Sequence, residues 1–336
     1  MSDSHAAELH PPSAGLQKLL ADALAGQKAP LARVLSLVEN EAPEARYVLD
    51  TTFPRTGHTV RVGITGPPGA GKSTLVSSLA QILRAEGERV AIVAVDPTSP
   101  FSGGALLGDR VRMPKLAGDE GVFIRSMASR GSLGGLATTT SEVCDVLEAA
   151  GYAWLLIETV GVGQSELEVA ESADSVVVVL VPESGDGVQA MKAGLMEIGD
   201  IFVLNKADRD GADRAAADLK SVLALKPAAA WRSPVLLTEA RTGQGVDALR
   251  RTIGNHLQHL REKGLLSVRR RRRLKGHVQD LIRARAGERL RARVDESRWD
   301  AILEELEARR LAPHEAARRL WNEAWPEDAA LGPAHD

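Results

Sequence analysis

Along most of this chain, short runs of apolar residues alternate with longer stretches in which apolar positions recur every three or four residues. The runs fall around 60–64, 90–95, 121–125, 154–157, 175–181, 201–204 and 235–237, as in Ser175-Val176-Val177-Val178-Val179-Leu180-Val181. Their length and their polar or glycine borders read as strands buried on both faces. Between them, positions such as Leu75, Val76, Leu79, Ala80, Ile82 and Leu83 follow one face of a helix. The alternation predicts an α/β fold with a mostly parallel central sheet flanked by helices on both sides. Such sheets bind their ligands beyond the carboxyl ends of the strands, so the polar residues that close each run are the candidates for chemistry.

Both ends of the chain read as helical. Leu16, Leu19, Leu20 and Leu24, then Leu31, Val34, Leu35, Leu37 and Val38, predict two helices packed on the main domain. Beyond His259 the composition turns charge-rich, with Arg269-Arg270-Arg271-Arg272-Arg273-Leu274-Lys275 followed by Leu281, Leu290, Ile302, Leu303, Leu306 and Leu311. The expected division is a disordered tail (1–12), an N-terminal helical extension (13–55), a main domain (56–259) and a C-terminal helical arm (260–330). The arginine run reads as a solvated helix face, with an acidic partner or an intersubunit contact as alternatives. Nucleic acid is not expected, because the net charge is −3 and no aromatic residues interleave the run for base stacking.

Composition narrows the setting without naming a function. The 336 residues are 44% hydrophobic and 26% charged, enough for one large core plus extensions. Cys144 is the single cysteine, so no intramolecular disulfide forms, and no histidine or cysteine cluster has metal-ligand spacing. No signal-peptide pattern opens the chain, and no apolar stretch nears the roughly 20 residues of a membrane span. A cytoplasmic protein in a reducing compartment, with no membrane partner, is the expectation.

The strand at 60–64 leads into Gly66-Pro67-Pro68-Gly69-Ala70-Gly71-Lys72-Ser73-Thr74, which fits the phosphate-binding pattern G-x-x-x-x-G-K-[ST] without a mismatch. Strand, glycine loop and helix are the context this pattern requires. The glycines let successive N–H groups point inward at phosphates, and the start of the helix adds its positive dipole end. Lys72 supplies a charge for the β- and γ-phosphates, Ser73 a hydroxyl for Mg²⁺, and Thr74 a reach toward the α-phosphate.

Downstream, the run at 201–204 ends in Asn205-Lys206-Ala207-Asp208, which resembles the guanine-specificity motif of GTPases. In that motif Asp208 accepts from guanine N1–H and the 2-amino group, Asn205 braces the loop and the Lys206 stem covers the base. Adenine would set an acceptor against the carboxylate. Thr238, Glu239, Ala240 and Arg241, after the last strand, are candidates for a third base-side element. Between these anchors, the strand at 154–157 ends at Glu158, placed to reach Mg²⁺, with Gly161 positioned to bond the γ-phosphate as a switch.

Glu158-Thr159-Val160-Gly161-Val162-Gly163-Gln164-Ser165-Glu166, Val95-Asp96-Pro97-Thr98-Ser99-Pro100, Gly108-Asp109-Arg110 and Leu133-Gly134-Gly135-Leu136 together closely resemble the MeaB/ArgK/MMAA GTPases. The resemblance is strong from about Arg61 to Thr252. It implies a switch protein, binding GTP and GDP with Mg²⁺ and hydrolysing slowly, that gates cofactor loading and protects an adenosylcobalamin-dependent acyl-CoA mutase such as methylmalonyl-CoA mutase. The adenosyltransferase is a further implied partner, and the C-terminal arm is implied to make a homodimer. Asp96 and Asp109 would lie in the first switch near Mg²⁺, residues 158–166 would form the second, and 183–192 a third with Asp186, Gln189 and Lys192 as polar contacts. Without the resemblance, that third segment reads as a loop whose aspartate caps a solvated helix.

No residue stands out as a general base. Gln164 is a candidate for positioning water, and with Lys72, Glu158 and Lys192 it completes the groups expected to act on the γ-phosphate. An incomplete constellation predicts slow hydrolysis and acceleration by a partner. Arg110, Arg112, Arg125 and Arg130 are candidate phosphate or partner contacts, with ordinary salt bridges as the simpler reading. Two other functions fit the same loop: a transport-type kinase passing the γ-phosphate to a protein, and a nickel-insertion GTPase.

Overall fold

All seven apolar runs form strands: β1 (Val60–Thr65), β2 (Val90–Pro97), β3 (Val122–Ser129), β4 (Trp154–Thr159), β5 (Ser175–Leu180), β6 (Ile201–Asn205) and β7 (Val235–Thr238). The computed structural model describes residues 12–97, 113, 116, 118–129, 135–159, 165–182, 193–225 and 230–326. The strands make one parallel sheet in the order β3-β2-β4-β1-β5-β6-β7. β1 lies between β4 and β5, where the order of winding reverses, and its carboxyl end therefore opens on a crevice.

The described residues also form twelve helices: α1 (Ala14–Leu24), α2 (Lys28–Glu39), α3 (Ala45–Thr52), α4 (Lys72–Ala85), α5 (Gly135–Ala149), α6 (Ser165–Ser172), α7 (Ala193–Ile198), α8 (Ala212–Ala224), α9 (Val246–Glu262), α10 (Leu265–Arg293), α11 (Glu296–Glu307) and α12 (Pro313–Ala324). Alternate residues of the strands face opposite layers. Val62, Ile64, Ile92, Leu156, Val177 and Val203 pack against α4 and α9 through Leu75, Leu79, Leu83, Leu249 and Ile253. Ala91, Val93, Leu155 and Ile157 meet the N-terminal helices and α5, while Val178, Phe202 and Leu204 meet α8. Each fully buried leucine in these layers contributes about 2 kcal/mol.

The N-terminal extension has three helices where the spacing predicted two. The third, α3, is one short amphipathic segment that turns Val48 into the core at 0% exposure. Leu31, Val34 and Leu35 are equally buried, so the extension is part of the sheet's cover. Polar contacts hold it there: Lys28 Nζ donates to Asp119 O at 2.6 Å, and Arg125 pairs with Glu39 and donates to Ser36 Oγ at 3.0 Å. Arg125 is thereby a salt-bridging residue of β3.

The amino ends of the strands carry a buried charge network. Arg61, 2% exposed on β1, pairs with Asp145 at 2.5 Å and Glu148 at 3.1 Å. Glu148 Oε1 also accepts the N–H groups of Gly57, His58 and Thr59 at 2.5, 2.5 and 2.8 Å. Burial opposes ionisation of Glu148, but these N–H groups and Arg61 hold its pKa below the usual carboxylate value. Asp174, fully buried before β5, receives Arg270 at 2.8 Å and Arg273 at 3.1 Å, and these bonds likewise outweigh its desolvation. Asp200, before β6, takes both terminal nitrogens of Arg269 at 2.8 Å. His256, wholly enclosed beside Asp200 and Ser175, is pushed down to about 4 by burial and so stays neutral.

This network corrects the reading of the arginine run as a solvated face. Arg269, Arg270 and Arg273 lie on one side of α10, spaced to reach carboxylates at the foot of the sheet, whereas Arg271 and Arg272 face water. The chain forms two compact units, the first ending at Leu274 and the second beginning at Lys275. In the second unit Val294, Ile302, Leu311, Ala316 and Leu320 make a small core, and Asp295 caps α11 by accepting from Arg298 N at 2.9 Å.

Candidate functional site

The phosphate loop leaves β1 at Thr65 and enters α4 at Lys72, as its sequence required. Two of its glycines are there for space as well as backbone freedom. Gly66 has φ 138°, and a Cβ there would stand 2.1 Å from Val179 O; Gly71 has φ 88°, and a Cβ would stand 2.4 Å from Asn205 Nδ2. No side chain caps the first turn of α4, which follows Gly71 directly. Lys72 is 6% exposed, and its ammonium is folded over the loop, donating to Gly66 O at 2.8 Å and Pro67 O at 3.1 Å. Pro68, Gly69 and Ala70 complete the curve of the loop, and Thr74 is exposed on the first turn of α4.

Glu158 is the penultimate residue of β4, in register with Ile64 on β1 and Ala94 on β2, and is 3% exposed. Its Oε1 accepts from Ser73 Oγ at 2.6 Å. Two of the four residues the sequence assigned to a divalent cation are therefore hydrogen-bonded neighbours, and both present oxygen, the donor type that a hard cation prefers. Beside them, Thr159 and Thr65 share a hydroxyl hydrogen bond of 3.1 Å at 0% exposure. Sequence reasoning passed over this pair; the only signal was a threonine closing each of two adjacent strands. Asp96 sits near the carboxyl end of β2, opposite Ala128.

The base-side segments converge on the same loop. Asn205, 2% exposed at the end of β6, donates through Nδ2 to Ala70 O at 2.8 Å. Its Oδ1 accepts from Thr238 Oγ1 at 3.1 Å and Ala240 N at 3.0 Å. One amide thus ties the phosphate loop to both base-side loops. Lys206 has a left-handed backbone, φ 58°, which turns the chain so that Asp208 stands exposed on the bend beyond it. Glu239 N bonds Gln244 O at 2.9 Å, which closes the third loop on itself; Ala240 is 3% exposed, whereas the Arg241 side chain is 86% exposed.

The structure therefore brings together Gly66 through Ser73, Glu158, Asn205, Thr238 and Ala240, with Lys206, Asp208, Glu239 and Arg241 on the adjoining turns. Asp109, Gly161, Gln164, Asp186, Gln189, Lys192 and the candidate arginines Arg110, Arg112 and Arg130 lie outside the described residues. Among the described residues no three histidine, cysteine, aspartate or glutamate side chains form a metal-binding group, and no helix is long and apolar enough to cross a membrane.

Comparison with known proteins agrees with this geometry. The sequence profile described as methylmalonyl Co-A mutase-associated GTPase MeaB matches residues 31–295. A Pyrococcus abyssi protein bearing a GTPase name is 44% identical over 302 residues, covering 89% of this chain and 93% of its own. The mouse mitochondrial methylmalonic aciduria type A homolog is 36% identical over 286 residues, covering 80% and 69%. Among solved structures, one described as a LAO/AO transport system kinase superposes with a TM-score of 0.70 at 30% identity, covering 93% of this chain and 98% of that one.

Proposed function

The chain belongs to the MeaB family of methylmalonyl-CoA mutase-associated GTPases, and on that premise we propose that it is a guanine-nucleotide switch serving an adenosylcobalamin-dependent acyl-CoA mutase. The observation that carries the nucleotide half of this reading is the Asn205 amide, which holds the phosphate loop and the base-side loops in one frame. Asp208 reads guanine from the turn beyond it. The Lys72 ammonium exchanges its two loop carbonyls for β- and γ-phosphate oxygens, a trade that favours the phosphates because the new partners are charged.

Ser73 and Glu158 are the residues that would hold Mg²⁺, Glu158 through water or directly, with Asp96 and Asp109 approaching from the first switch. When bound, the ion neutralises charge on the β- and γ-phosphates. Ser73 would offer the ion a hydroxyl lone pair while its O–H stays donated to Glu158 Oε1, and the Thr65–Thr159 pair keeps the two strand ends in register. Gly161 senses the γ-phosphate. Gln164 positions water, and Lys192 with Asp186 and Gln189 completes the polar complement when a partner engages the third switch. Hydrolysis is slow alone and faster with the mutase, because positioning and charge neutralisation are the protein's contribution to phosphoryl transfer.

Nucleotide state in turn gates adenosylcobalamin transfer and protection of the mutase, with the adenosyltransferase as the source of cofactor. The helical arm over 260–330 mediates a homodimer, supported by the exposed Leu274, Val278, Leu281 and Ile282 along α10. The test is phosphate release from GTP with and without a purified acyl-CoA mutase from the same organism: stimulation supports the reading, and its absence counts against the mutase. Similarity to a protein described as a transport system kinase favours a second reading, transfer of the γ-phosphate to a protein. Labelled γ-phosphate appearing on protein, and not as free phosphate, would select it.

A further inference from the structure

Helix α4 contains a hydroxyl that bonds away from its own helix. Ser36, Thr51, Thr52, Ser221 and Thr252 each donate to the carbonyl four residues back, at 2.7 to 2.9 Å. That is the default for a hydroxyl within a helix, since the acceptor is already in reach. Ser78 donates to Ala240 O at 2.7 Å, a residue 162 positions away.

Ala240 is buried, and its N–H already donates to Asn205 Oδ1 at 3.0 Å. Both backbone polar groups of Ala240 are therefore anchored by side chains of different elements. One anchor stands at the end of β6; the other stands on the helix whose first turn follows the phosphate loop. Because Asn205 also donates to Ala70 O, a closed circuit runs from the phosphate loop through Asn205, Ala240 and Ser78, and back along α4. Removing Ser78 opens it at one point. The third loop would then keep Asn205 and its own bonds, Glu239 N to Gln244 O and Gly243 N to Glu239 O.

We infer that Ser78 is a positioning residue for the base-side wall of the nucleotide site, setting through Ala240 the distance between the third loop and the phosphate loop and hence the residence time of a guanine nucleotide. The inference rests on the guanine-nucleotide reading above. Ser78 is half-buried, so in Ser78→Ala water takes over the Ala240 carbonyl and the fold loses little, whereas the loop loses the bond that fixes its place.

The experiment uses the full chain as wild type, Ser78→Ala and Ser78→Thr. It measures release of ribose-labelled fluorescent GDP, affinity for inorganic tripolyphosphate with Mg²⁺, and the thermal midpoint. Loss of one hydrogen bond predicts GDP release from Ser78→Ala about fivefold faster than from wild type. Tripolyphosphate affinity and the midpoint stay at wild-type values, because the phosphate loop is untouched, and Ser78→Thr, which keeps the hydroxyl, releases GDP at close to the wild-type rate. Unchanged GDP release in Ser78→Ala, or an equal weakening of GDP and tripolyphosphate, overturns the inference, as does a Ser78→Thr that behaves like Ser78→Ala. A wild type that binds GDP no better than ADP overturns this inference together with the guanine reading; a wild type that prefers GDP leaves Ser78 alone to be judged.

Discussion

The two ends of the parallel sheet treat polar groups in opposite ways. At the amino ends, Arg61, Asp145, Glu148, Asp174 and Asp200 are paired with one another or with the arginines of α10, charge against charge inside the protein. At the carboxyl ends, Lys72 donates to loop carbonyls and Ser73 to a carboxylate, bonds of a kind that phosphate oxygens or a cation could replace, while Asn205 braces the loops around them. Both ends are buried, yet only the second is built from bonds that can be exchanged. A charge whose partners are fixed charges holds a fold together, and a hydrogen bond to a neutral carbonyl is weaker than one to a charged oxygen.

The sharpest way to break this contrast is at Asp174. Asp174→Ala leaves Arg270 and Arg273 facing a buried gap, and should lower unfolding free energy by about 3–5 kcal/mol. Nucleotide affinity measured below the melting temperature should stay near wild type. Denaturant titration and GDP binding read the two quantities separately, and a variant that loses GDP affinity but not stability would undo the division between the ends.

Lys72→Ala is the converse. It removes an ammonium that rests on two loop carbonyls, so stability should change by less than about 1 kcal/mol. GTP and GDP should bind about 100-fold more weakly, the scale of a lost charged hydrogen bond. Isothermal titration against thermal melting is the check, and near-native affinity in a folded variant would remove Lys72 from the site. Asp208→Asn should act more narrowly, weakening GTP by about 30-fold. Xanthine nucleotides should gain, because the new amide can donate to the 2-oxo group. Competition among GTP, XTP and ATP decides it.

The smallest expected effect comes from a buried carboxyl group set among other carboxylates. Glu142 is pushed up from 4.5 to about 7 by burial and by the nearby Asp145 and Glu41. Its folded-state pKa lies above the unfolded value, so the folded protein binds more protons between the two. Stability therefore falls as pH rises from 4.5 toward 7 and levels off above it. Glu142→Gln should flatten this slope and raise stability at pH 8 by about 1–2 kcal/mol. Denaturant midpoints of both proteins from pH 5 to 8 provide the measurement, and parallel pH curves would acquit Glu142.

Sequence alone determined the strands, because apolar runs of this length bounded by turns have few other uses. It also determined the phosphate loop and the order of the motifs, since glycine spacing and a lysine at the start of a helix encode a local shape. The base-side turn at Asn205 was legible for the same reason. Long-range partnership was not written in any local pattern. Arg269, Arg270 and Arg273 carry the helical spacing of a solvated face, and what makes them structural is that Asp174 and Asp200, about 70 to 100 residues earlier, are brought to the foot of the same sheet. Ser78 reads as an ordinary helical serine until β6 and β7 place Ala240 above it, and Thr65 and Thr159 are two strand-end threonines until parallel pairing sets them side by side. Local conformation depends on neighbours in the chain, whereas the choice of hydrogen-bond partner depends on which segments the sheet order puts within about 3 Å of each other, and that order is fixed only when the core is packed.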